Sequence, residues 1–267
     1  MKKYWSFFKM RLMACLQYRA AALAGMSTQL VWGGMEILLY RAFWLENPER
    51  FPMGMEALST YIWLQQAFLA LFVIWDWDYD ILKSVKEGSV AYELLRPTNL
   101  YGMWMAKCLG TRLARASLRM IPVIVVSSLI PAPYGLRLRI PPETFGVFLL
   151  AMALMLLVVC GYSMFVYALT FHVTDPNGVM VLSVAAADLL GGAIVPLPFL
   201  PEGFRQFAAL TPFASMQNVP LRIFNGNISL SEAPGVMGLQ VFWAVALLAV
   251  GCGLTRSGLR RAVIMGG

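Results

Sequence analysis

"TFGVFLLAMALMLLVVCGYSMFVYALT", residues 144–170, runs its whole length without a charged side chain. A bilayer core of about 30 Å is crossed by about 20 apolar residues at about 1.5 Å rise each. This stretch is long enough to make that crossing as one helix. The chain around it has the same character: 59% of its residues are hydrophobic, only 13% are charged, and the mean hydropathy is +0.67. Such values lie outside the soluble globular class and read as an integral membrane protein. Several crossings use up most of 267 residues, so no sizeable soluble domain is expected beside them.

Working outward, five further apolar segments stand at about 20–44, 57–76, 103–131, 178–198 and 236–254. The expected fold is all-α and polytopic: a single transmembrane domain over 1–267 with six transmembrane helices. The turn "FHVTDPNG" marks the boundary after residue 170, and the third segment becomes continuously apolar only after Arg119. Ahead of the first segment, Trp5, Phe8, Leu12 and Leu16 share one helical face, with Lys2, Lys3, Lys9 and Arg11 available to a polar one. That pattern predicts an N-terminal interfacial helix. Its basic start is that of a signal peptide, but Lys9, Arg11 and Arg19 interrupt the apolar part and no small-residue cleavage site follows. The segment is therefore expected to be retained. Residues 196–235 are apolar but broken by Pro196, Pro198, Pro201, Pro212 and Pro220, which excludes one straight helix. A re-entrant or interfacial hairpin is expected there.

The net charge of +7 does not point to nucleic acid, because the basic residues sit mainly at the ends of apolar segments. They gather in the N-terminal segment, between the second and third spans (Lys83, Lys86, Arg96, Lys107, Arg112, Arg115, Arg119), and in the tail (Arg256, Arg260, Arg261). Arg41, Arg50, Arg137, Arg139, Arg205 and Arg222 are left for the other face. The positive-inside rule then places both termini in the cytoplasm.

No catalytic constellation is visible. His172 is the single histidine, no metal-ligand spacing surrounds it, and Cys15, Cys108, Cys160 and Cys252 are scattered singly through apolar surroundings. "GCGLTRSG" lacks the Gly-Lys-Ser/Thr ending of a phosphate-binding loop, so any nucleotide would be bound by another chain. Ionisable residues inside apolar spans carry more information, since a charge at mid-bilayer costs at least about 2.5 kcal/mol. Glu36 and Asp188 are two such acids, able to line a substrate path or to pack as buried acids between helices. Arg41 stands near the outer end, in snorkelling reach of the headgroups. Arg112, Arg115 and Arg119 share one face of the third helix, either to anchor anionic lipid or to line an inward-facing cavity. Small residues in "SVAAADLLGGA" suit an intramembrane packing interface.

One polar stretch separates the second and third spans: "KEGSVAYELLRPTNLYG", residues 86–102. Leu82, Val85, Val90, Leu94 and Leu95 make amphipathic pieces, interrupted at Gly88 and stopped at Pro97. Such pieces rest on headgroups or dock a cytoplasmic partner.

Three regions carry a family resemblance. "FFKMRLMACLQYRAAALAG" is similar to an interfacial helix running into a first span. "ILKSVKEGSVAYELLRPTNLYG" has Ile81, Gly88, Leu94, Leu95 and Pro97 in a characteristic order, and "PLPFLPEGFRQFAALTPFASMQNVPLRIFNG" looks like an external hairpin before a last span. Together they resemble the permease subunits of type-2 ABC exporters, in the six-helix bacterial group of about 260 residues. The resemblance implies a half-transporter of the bacterial plasma (inner) membrane that pairs with a second permease, the same or a related chain, amid membrane lipids. It implies two copies of a separate ABC ATPase that hold the ATP and Mg, with no cofactor and no catalysis on this chain. Lys83, Lys86, Glu87, Gly88, Glu93, Leu94, Leu95, Arg96 and Pro97 fall where the class couples to its ATPase. The cargo is then an exported amphiphilic or hydrophobic compound: a drug, peptide, lipid or glycan. On this reading Glu36, Arg41, Arg119 and Asp188 lie along a substrate path, and Pro196, Pro198, Pro201, Pro212 and Arg222 form an external gate. The alternative is a proton-coupled secondary transporter that uses Glu36 and Asp188 as its relay.

Overall fold

The computed structural model describes residues 2–17, 19–173 and 175–261, and among them every regular element is helical. Helix α1 (Lys2–Gln17) leads into the long α2 (Arg19–Glu46), and a loop then returns to α3 (Met55–Ala67) and the single turn α4 (Leu69–Phe72). The polar stretch forms two short helices, α5 (Tyr79–Lys86) and α6 (Val90–Leu94). Three longer ones follow: α7 (Leu100–Ser128), α8 (Pro142–Leu169) and α9 (Pro176–Leu190). The proline-rich region folds as α10 (Glu202–Leu210), α11 (Pro212–Met216) and α12 (Asn218–Phe224), and α13 (Ala233–Arg261) closes the bundle.

Local chemistry sets the boundaries. Asn99 starts α7 by accepting a 3.0 Å hydrogen bond from the Gly102 amide, and Asp175 with Pro176 starts α9 in the same manner. Before α13, Ser229 and Glu232 cap each other reciprocally: Ser229 donates from its amide and hydroxyl to the Glu232 carboxylate, and the Glu232 amide donates back to Ser229 Oγ. Those bonds, from the hydroxyl first, hold the Glu232 carboxyl below the usual carboxylate range.

Two helices, Pro142–Leu169 and Ala233–Arg260, are long and apolar enough to cross a membrane by length and composition. They also form the axis of the bundle, packing along each other where Gly161 admits Leu247 and Leu248 and Gly251 admits Phe165 and the Tyr101 hydroxyl. Two expected spans are interrupted. In the segment expected at 57–76, the helix breaks at Phe68 and ends at Phe72, and the chain then runs extended to Asp78. In the segment expected at 178–198, α9 stops at Leu190, because Gly191 and Gly192 turn the chain into the short 3-10 turn Leu197–Phe199. The 15 residues of α9 make only about 22 Å of helix.

One end of the bundle collects α1, residues 76–99, the α8–α9 turn and the end of α13. Arg11 bridges to Asp78 at 2.8 Å, the Tyr167 hydroxyl accepts from the Asp78 amide, and His172 meets the Leu254 carbonyl. The opposite end collects the α2–α3 loop, residues 129–141 and the proline-rich region: Phe51 meets Phe199, Arg137 pairs with Glu56, and Asn225 Nδ2 donates to the Ala57 carbonyl. The tail after Arg261, read above as basic, lies outside the described residues.

Candidate functional site

At the first end, α5 and α6 form a right-angled ledge whose corner depends on Gly88. Its φ of 72° lies in the left-handed region, where a side chain would be strained. Ile81, Leu82 and Val90 turn inward and are buried, while Tyr92, Leu94 and Leu95 point out, Leu95 at 82% exposure. Glu87, Gly88, Tyr92 and Leu95 border a concavity of about 500 Å³. Lys83 and Lys86 are exposed along α5, where Lys83 makes a loose pair with Glu87. Exposed pairs of this kind contribute about 0–1 kcal/mol.

The ledge is fastened from behind. Glu93 turns inward, accepting from Trp104 Nε1 at 2.7 Å and from Lys107 Nζ at 3.1 Å. Helix α1 holds the other side: Lys3 donates to the Pro97 carbonyl at 2.9 Å, Arg96 lies over the Phe7 ring, and the Tyr4 hydroxyl accepts from the Asn99 amide. Gly102 and Gly110 let α1 lie this close, since a Cβ on Gly110 would come within 2.8 Å of the Phe8 carbonyl oxygen. Of the nine residues proposed for this surface, Glu93 is therefore a brace rather than a contact, while Leu94, Leu95 and Arg96 stand on the outside.

The arginine triplet of α7 divides three ways. Arg112 is 2% exposed and donates to the carbonyls of Leu71 and Val73 and to Ser163 Oγ, so it caps the broken end of α4. Arg115 pairs with Asp76. Arg119 reaches across to α2, and only a glycine at position 25 leaves room: a Cβ there would lie 2.5 Å from the guanidinium carbon.

Arg119 borders a cavity of about 570 Å³ enclosed by α2, α3, α4, α7 and α9. Its polar lining comprises Arg119, Asp188 and four glutamines: Gln29, Gln65, Gln66 and Gln217. Two of the glutamines also repair irregular backbone, Gln65 donating to the Ala193 carbonyl and Gln217 to the Gly192 carbonyl. Glu36 sits on α2 beside Gln66, with one carboxylate oxygen buried and unpaired. Arg41 lies under no carboxylate: it covers the Tyr134 ring at 5.7 Å. Asp188 and Arg119 thus share a wall system that Glu36 approaches and Arg41 does not.

Pro196 and Pro198 open the 3-10 turn, Pro201 precedes α10 and Pro212 is the first residue of α11. Each proline thus starts a helix, where its missing N–H matters least. Arg222 on α12 donates to the Asn227 carbonyl, within the same loop. Gln240 of α13, fully buried, donates to the carbonyls of Ser215 and Ala151 and ties α11 to the axis.

The glutamines and the capping role of Arg112 were missed by sequence reasoning. The visible signal was amide side chains within otherwise apolar helices, which bring hydrogen bonding without a charge.

An all-helical bundle with membrane-length apolar helices, irregular backbone repaired by buried amides and one fastened polar ledge defines an integral membrane protein. Its family follows from comparison: the model for the ABC-2 family transporter protein matches residues 30–266, so the chain belongs to that family and is a membrane permease of an ABC transporter. Partnership with an ATPase subunit comes with that membership. No curated protein and no solved structure matches the chain.

Proposed function

We propose that this chain is the permease half of an ATP-driven exporter in a bacterial plasma membrane. Six segments cross the bilayer, both termini are cytoplasmic, and a second permease completes the pathway. Each permease docks one of two ATPase subunits on the α5–α6 ledge, and the ATP and Mg are held there rather than on this chain. The observation that carries the reading is the contrast within α6: apolar Tyr92, Leu94 and Leu95 point outward, while Glu93 on the same short helix is locked to α7. An exposed apolar edge rimmed by Lys83, Lys86, Glu87 and Arg96 suits a protein partner, and a fastened back lets force on that edge reach α7.

Closure of the ATPases on ATP pulls the two ledges together. Glu93 passes the displacement to Trp104 and Lys107, and α7 carries it to Arg119 at the cavity. The amphiphilic or hydrophobic cargo leaves past the proline-started helices α10 to α12, which form the outer gate with Arg222. Such a cycle requires cargo and ATP to favour different arrangements of these helices.

Affinity purification of the full-length chain from its native membranes tests the reading. An ABC ATPase is expected with the wild-type chain and is expected to be lost from Leu95→Asp. That substitution lies on an 82% exposed side chain and leaves folding intact, within about 0.5 kcal/mol. A chain recovered without any ATPase, or transport that collapses with the proton gradient while ATP remains, would overturn it.

A further inference from the structure

The glutamine-lined cavity contains more hydrogen-bonding capacity than the protein uses. Gln29 is 3% exposed, yet neither its carbonyl oxygen nor its amide nitrogen has a partner, and the carbonyl oxygens of Gln65 and Gln66 are likewise buried and unpaired. Gln65 is oriented by its bond to Ala193, which leaves its oxygen free to accept. Three amide acceptors and one amide donor therefore border one space of about 570 Å³, within the range of about 300–1,000 Å³ usual for small-molecule sites. Leaving buried amides unpaired is unfavourable, and native proteins do so where a ligand supplies the missing bonds.

The lining also defines what the ligand is. Acceptors outnumber donors, so its polar part is rich in O–H or N–H. One cation and one anion, Arg119 and Asp188, border the same walls, so as a pair they favour neither sign of ligand charge. Trp32, Phe72, Trp75 and Phe213 provide flat apolar walls for a hydrocarbon or aromatic body.

Taking these together, we infer that the cavity is a cargo-binding site for an uncharged amphiphile whose head carries several hydroxyl or amide groups, recognised by Gln29, Gln65 and Gln66. The inference rests on the transport reading and names the class of its cargo.

The test uses the full-length chain with its co-purified ATPase in lipid nanodiscs, and three diazirine photoprobes with identical octyl chains. Their heads are a glucoside, a trimethylammonium and a sulfate. The octyl glucoside probe is expected to label the peptides bearing Trp32 and Trp75, with half-saturation at a lower concentration than either ionic probe. Gln29→Leu keeps the shape and removes the unpaired amide. Its half-saturation for the glucoside is expected to rise by about tenfold, the loss of one or two hydrogen bonds, with a thermal midpoint unchanged or raised in the absence of probe. A lowered midpoint would make Gln29 a structural residue and overturn the inference. Equal labelling by all three probes, insensitive to Gln29→Leu, would mean that the cavity holds only bilayer lipid and would also overturn it. Gln29→Glu, which keeps the shape and adds a charge, is expected to shift preference toward the trimethylammonium probe, and no shift would count against the amide as the reader. The ATPase content of the same nanodiscs separates the two failures: its loss speaks against the transport reading, whereas bound ATPase without glucoside preference speaks against the cavity assignment alone.

Discussion

A guanidinium is stable inside this bundle at Arg112 because three acceptors surround it: the carbonyls of Leu71 and Val73 and the hydroxyl of Ser163. Two of those carbonyls are orphans created where α4 ends in mid-bundle, so side chain and backbone satisfy each other. Arg112→Ala is expected to destabilise the protein by about 3 kcal/mol or more, since the carbonyls lose a charged donor and a large side chain leaves a void. Arg112→Lys recovers only part of this, because an ammonium lacks the planar fork that meets Val73 and Ser163 together. Thermal unfolding of the detergent-solubilised chain measures both, and equal midpoints for the two variants would contradict the forked geometry. The i, i+3, i+7 spacing of Arg112, Arg115 and Arg119 was legible in the sequence, but the division of labour was not. Helical spacing names a shared face, whereas the partners, Val73, Asp76 and Gly25, come from three other places in the chain.

Among the elements, the proline-rich hairpin shows how non-helical backbone is kept inside an apolar bundle. The carbonyl of Ser215, at the irregular end of α11, would be unpaired without Gln240, and the carbonyl of Gly192 without Gln217. Each unsatisfied carbonyl in an apolar environment is unfavourable by about 1–3 kcal/mol. Gln240→Leu is therefore expected to lower stability by about that amount and to increase hydrogen exchange in residues 212–224, while leaving α8 protected. Exchange rising evenly along the chain would instead mean that Gln240 supports the whole bundle. Five prolines announced that this region could not be one straight helix, and helices do start at Pro201 and Pro212. Which glutamine repairs which carbonyl was not readable, because those bonds cross 25 residues of sequence.

For the whole molecule, α9 is the least covered of the longer helices: Val181, Leu182 and Leu189 are exposed, and it touches chiefly α8 and α11. Apolar side chains alone give helices no reason to associate in lipid, but the small residues of this helix permit close backbone approach. If the second permease of the proposed exporter packs here, Ala185→Cys, on the exposed face, is expected to form a disulfide-linked dimer in oxidised membranes. Ser183→Cys, at 5% exposure, is expected to stay monomeric and serves as the control. Dimers from neither variant would place the second permease on another face.

Composition and the length of the uncharged runs determined by themselves that this is a helical membrane protein, since apolar backbone at such density is stable only when helical bonds satisfy it locally. The ordered motifs around Gly88, Pro97 and the proline-rich region were enough to indicate the transporter class. Only the tertiary structure decided that Glu93 braces the ledge, that Arg112 caps α4, and that four glutamines from three separate parts of the chain surround one cavity with Arg119 and Asp188. The physical reason is range: hydrophobic periodicity and helix breaking act over a few residues, whereas buried hydrogen bonds join partners whose separation along the chain carries no signal.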